Sequence, residues 1–79
     1  MDIQELITID NEVLGGQPVF KGTRVPVESL FDHLEAGVSL DDFLADFPTI
    51  SKAQAVALLD IANKFLTAKN AADLYATVA

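Results

Sequence analysis

Apolar and polar positions alternate along this chain in two different rhythms. Leu6-Ile7-Thr8-Ile9 is short, apolar and rich in β-branched side chains, and predicts a strand. Val19-Phe20-Lys21 predicts a second. Between them, Asp10 and Asn11 suit a turn, and Gly15-Gly16 permits positive φ. Beyond Gly22-Thr23 the rhythm changes. Val27, Leu30, Phe31, Leu34 and Val38 follow the spacing of an amphipathic helix, with Glu28 and Glu35 off the stripe. Pro26 suits the start of that helix, because its missing N–H would have no partner there, and Gly37 suits the end. Leu40, Phe43, Leu44 and Phe47 repeat the spacing in a second helix. Ser39 can cap it, Asp41 and Asp42 meet its dipole, and Pro48 closes it.

Ser51 and Gln54 fit a capping box, which starts a third helix running to about Leu66. At about 100° per residue, Ala55, Leu58, Leu59, Ile61, Ala62, Phe65 and Leu66 fall on one broad face, expected to be buried. Lys52, Val56, Asp60, Asn63 and Lys64 fall on the other. Residues 1–66 therefore predict one mainly α domain, a helix-turn-helix-like three-helix core with an N-terminal β-hairpin (α+β). Residues 67–79 are a tail whose larger apolar residues are Leu74, Tyr75 and Val78. They would emerge on the polar side of the third helix if it ran on unbroken, so the tail is expected to form a separate short helix or to fray.

Composition narrows the function. A chain of 79 residues has little core to spare, which favours a homodimer or a partner-bound domain. A bare two-stranded hairpin is weak, so its strands are expected to pair across a dimer. There is no cysteine and only one histidine, so metal ligation and thiol chemistry are not expected. Twelve acids against five bases give a net charge of -7, which opposes non-specific nucleic-acid binding and suits a basic protein partner. The first residues lack the basic region of a secretory leader, and no apolar run approaches a membrane span, so the expected setting is the cytoplasm.

The chemistry that could make an enzyme is missing from the pattern. Lys21-Gly22-Thr23 reverses the order of a phosphate-binding loop, and a proline precedes the helix. His33 has Ser29 one turn away, but no oxyanion hole, and reads as a helix residue at the edge of the apolar stripe. No catalytic residue and no cofactor are expected. Lys21, Arg24, Lys52 and Lys64 are the cations that could meet DNA phosphates, a sparse set for a monomer. Arg24, with five donors, is expected to bind turn carbonyls or Asp10, with phosphate contact the alternative.

Gly15-Gly16-Gln17-Pro18-Val19-Phe20-Lys21-Gly22-Thr23-Arg24-Val25-Pro26 resembles the signature of domain-of-unknown-function family 433. That signature is Gly-Gly-x-Pro, an apolar pair, a basic or polar residue, then Gly-Thr-Arg-Ile/Val-Pro. The resemblance runs on through Ala36-Gly37-Val38-Ser39 and Asp46-Phe47-Pro48 into the third helix, and covers residues 5 to 66. Asp10-Asn11 stands where the family commonly has Asp-Pro. The resemblance implies a helix-turn-helix-like domain of antitoxin type, encoded beside a PIN-like nuclease toxin that it occludes, with operator DNA as a further ligand. The turn residues carried by it are Gly15, Gly16, Pro18, Gly22, Thr23, Arg24 and Pro26; the tail residues Leu74, Tyr75 and Val78 are expected to order on the toxin. An autonomous DNA-binding transcriptional regulator and a non-catalytic structural or adaptor domain are the alternatives.

Overall fold

The computed structural model describes residues 2–68. In chain order the elements are helix α1 (Ile3–Leu6), strands β1 (Ile7–Thr8) and β2 (Val19–Phe20), and helices α2 (Val27–Glu35), α3 (Leu40–Asp46) and α4 (Lys52–Thr67). The chain is mainly helical with an N-terminal antiparallel hairpin, an α+β arrangement. The expected tail contacts Leu74, Tyr75 and Val78 lie outside the described residues.

The first strand is shorter than expected, because Leu6 closes a helical turn. The Asp2 carboxylate accepts from the Gln4 N–H at 3.4 Å, and the Glu5 N–H reaches the Asp2 carbonyl at 3.0 Å. That turn carries Leu6 inward until it is fully buried. The strands then pair Ile7 with Phe20 and Thr8 with Val19. In the single chain the two strands pair with each other. A reason is visible in what surrounds β2. Its second edge is also used: Phe20 N–H donates to Val25 O at 2.9 Å, Val27 N–H to Pro18 O at 3.0 Å, and Val19 bridges Pro26. The hairpin is therefore not bare, and the β2 residues Val19 and Phe20 are both buried.

Capping residues set the end of α2 and the starts of α3 and α4. Val38 N–H reaches back to His33 O at 2.9 Å and Gly37 N–H to Leu34 O at 3.0 Å, the paired bonds of a Schellman motif, with Gly37 at φ 85°. The next helix begins at once: Ser39 Oγ accepts from Asp42 N–H at 3.1 Å. At α4 both halves of the capping box are made, Gln54 N–H to Ser51 Oγ at 3.1 Å and Ser51 N–H to Gln54 Oε1 at 3.0 Å.

Phe20, Leu30, Phe43, Ile50, Ala55 and Leu58 form the core, with Phe31, Leu34 and Phe47 packed partly against it. His33 stands edge-on to Phe43 and Phe47, with ring centroids 5.1 and 5.5 Å away. Its Nδ1 hydrogen-bonds the Ser29 carbonyl one turn back. The expected burial of α4 holds only for its first half. Ala55 and Leu58 are buried, whereas Phe65 is 66% exposed and Leu66 45%. Residues 63–68 are all exposed, so the last turns stand clear of the described elements that cover the first.

Candidate interaction surface

The glycine-rich segment is a scaffold of backbone turns. Leu14–Gly16 forms a single 3-10 turn in the long connection between β1 and β2, with Leu14, Gly15 and Gly16 at φ 50°, 67° and 91°. Pro18 follows and starts the approach to β2. Further along, Thr23 N–H donates to Phe20 O at 3.0 Å and Gly22 lies at φ 80°, the pattern of a type II turn that asks for glycine at its third residue. Thr23 Oγ1 then does two jobs: it donates to Phe20 O at 2.8 Å and accepts from Val25 N–H at 3.0 Å. This aims Val25 and Pro26 along β2, and Pro26 becomes the N-cap of α2.

Thr23→Val keeps the volume and removes both bonds. Because Phe20 O retains the Thr23 backbone donor, the main loss is the Val25 N–H partner. Stability should fall by about 1–2 kcal/mol, read as a lower urea midpoint with unchanged slope. Thr23→Ser should retain most of it. A neutral valine variant would mean that the corner is held by its apolar contacts.

Arg24 does not bind the turn. It is exposed and, among the described residues, has no hydrogen-bond or ion-pair partner. The Asp10 carboxylate instead accepts from Glu12 N–H at 2.9 Å, closing a local turn that competes for that oxygen. The other cations considered for DNA are engaged at home. Lys21 Nζ donates to Gln4 O at 3.2 Å, Lys52 lies 3.5 Å from Asp41, and Lys64 lies 2.9 Å from Asp60. Exposed pairs of this kind are weak, so they do not lock the lysines. However, Lys52 and Lys64 are twelve positions apart on α4, about 120° around its axis. The structure does not gather the four cations on one helix face.

It does gather an apolar surface that periodicity alone had assigned to the core. Phe65 lies seven residues beyond Leu58 on α4, so the buried stripe continues down the helix and is exposed there, beyond the other described elements. Leu66 adds to it, and Val56 is exposed on another side of the same helix. A second apolar hollow lies at the N-terminal end, lined by Ile3, Gln4, Ile7, Ile9 and Pro18. The spacing of Phe65 from Leu58 is readable in the sequence; its exposure is not. Among the described residues no three acidic, histidine or cysteine side chains gather as a metal site, and no helix is long and apolar enough to cross a membrane.

The family described as "Protein of unknown function (DUF433)" matches residues 7–62. That span holds the hairpin, the Gly-Thr-Arg corner, α2, α3 and most of α4. The chain is also 36% identical over 58 residues to "Uncharacterized protein y4eO" of Sinorhizobium fredii (strain NBRC 101917 / NGR234). The match takes in 73% of this chain and 26% of that protein, so the chain spans about a quarter of its relative's length. No solved structure matches it significantly. With the family's match covering hairpin and helices together, the chain belongs to the DUF433 family.

Proposed function

We propose that this chain is an antitoxin-type protein, a non-catalytic cytoplasmic domain that binds and neutralises a PIN-like nuclease toxin. The observation that carries the reading is the exposed end of α4, where Phe65 continues the core stripe of Leu58 beyond the described elements that cover it. A half-buried amphipathic helix of this kind suits a helix-in-groove contact. The net charge of -7 supports a basic partner surface, such as the cationic channel in which a nuclease holds RNA. Operator DNA, if bound, is better met by a complex or a homodimer that pools cations than by one chain with Lys21, Arg24, Lys52 and Lys64 dispersed.

The test is co-expression with the product of the neighbouring reading frame. Growth arrest by the neighbour alone, relief by this chain and a co-purified complex are the expected results. Deleting residues 70–79 should weaken that complex strongly. A harmless neighbour that forms no complex would remove the antitoxin reading. Operator binding by the lone chain at stated salt would then identify a DNA regulator, and its absence an adaptor domain.

A further inference from the structure

β1 has one edge paired with β2 and, among the described residues, no strand on the other. Lys21 N–H donates to Leu6 O at 2.8 Å, while Ile7 stands opposite Phe20. By the alternation of an antiparallel ladder, the Ile7 backbone groups then face away from β2. The Ile7 N–H is taken by Ile3 O at the end of α1. Its carbonyl faces outward, and both backbone groups of Ile9 are without a hydrogen bond among the described residues. This edge borders the apolar hollow of about 380 Å³ lined by Ile3, Gln4, Ile7, Ile9 and Pro18. Ile9 is 68% exposed and Ile3 48%. Donors, acceptors and apolar side chains are thus presented together, which is what a strand-adding peptide uses: main-chain bonds for affinity and a pocket for alternate side chains.

Charge selects the occupant. Residues 2–20 contain Asp2, Glu5, Asp10 and Glu12 and no lysine or arginine, and all four acids are exposed. The first cation along the chain, Lys21, is held on Gln4 O at one end of the hollow. A second copy of the chain would bring the same four carboxylates against themselves. We infer that the open β1 edge and the adjoining hollow are a docking site for an extended, cationic peptide segment of a protein partner, added as a strand beside Ile7–Ile9. The site is separate from the α4 surface and is tested separately from it.

The full chain, isotope-labelled, is titrated with a short synthetic peptide alternating valine and lysine. Amide signals of Gln4, Ile7, Thr8 and Ile9 should shift together, and the Ile9 amide should gain protection from exchange. Binding should weaken by about tenfold or more when glutamate replaces lysine in the peptide, and should fall as salt rises. N-methylation of the peptide amides that face the edge should abolish it. Ile9→Lys, at a position exposed enough to spare the fold, should weaken it about tenfold while the other signals stay in place. Shifts confined to α4, equal binding of the glutamate or N-methylated peptide, or no shift at millimolar peptide would overturn the site. A concentration-dependent dimer through β1 in sedimentation would also overturn it, because the occupant would be a second copy.

Discussion

Phe43→Ala should remove most of the domain's stability. Phe43 is fully buried at the meeting point of α2 and α3, with Phe47 at 4.8 Å and His33 at 5.1 Å between ring centroids. Truncating a buried phenylalanine costs about 3–5 kcal/mol through lost transfer and the cavity left behind. A chain of 79 residues has about 4–12 kcal/mol in all. No disulfide supplements this core, so the variant should begin to unfold in low urea and show a sharply reduced melting temperature. The cavity adjoins α2 and α3 together, which leaves neither helix able to close it alone. A loss under about 1 kcal/mol would show that the aromatic group is not the centre of the core.

Phe65→Asp should have the opposite profile, with stability intact and partner binding lost. The side chain is 66% exposed, so little apolar area is forfeited when the chain is free. In a helix-in-groove contact the same ring would be an anchor, and an aspartate there would bury an unpaired charge. Loss of an anchor costs about 2 kcal/mol or more, about thirtyfold in Kd. Calorimetric titration with the co-purified partner, together with a thermal melt of the free variant, separates the two effects. An unchanged Kd would place the contact elsewhere on the molecule. A large drop in melting temperature would mean that Phe65 serves the fold.

The helices were legible because their signals are local. Ser39, Ser51 with Gln54, and Gly37 each act within one turn, and the apolar spacing of α2 and α3 matches what the core uses. The strand pair was legible in composition, but its surroundings were not. That Val25 and Pro26 occupy the far edge of β2 depends on a corner built by Thr23, which propensity does not reveal. The helical turn at Ile3–Leu6 has an aspartate cap, but it is a single turn, and the β-branched residues after it carry the stronger local signal. Arg24 is legible as part of the Gly-Thr-Arg corner but not on a partner, because an Asp10 oxygen is taken by the Glu12 N–H. For the candidate surface, periodicity assigns Phe65 and Leu66 to the face of Leu58 and is silent on where the covering elements stop. Exposure is a property of those neighbours, and appears only once α4 is seen to outreach them.

The arrangement of His33 against a pair of phenyl rings gives the molecule a built-in reporter. It is the chain's sole histidine, so its ring protons form one isolated set of magnetic resonance signals. The rings of Phe43 and Phe47 meet it edge-on, and their circulating electrons displace those signals from their free positions. The helix carrying the imidazole and the helix carrying one of the rings follow one another through the short link at Gly37 and pack together in the core. Any ligand that rotates α3 against α2 therefore writes its effect into a single resolved line, wherever on the surface that ligand binds.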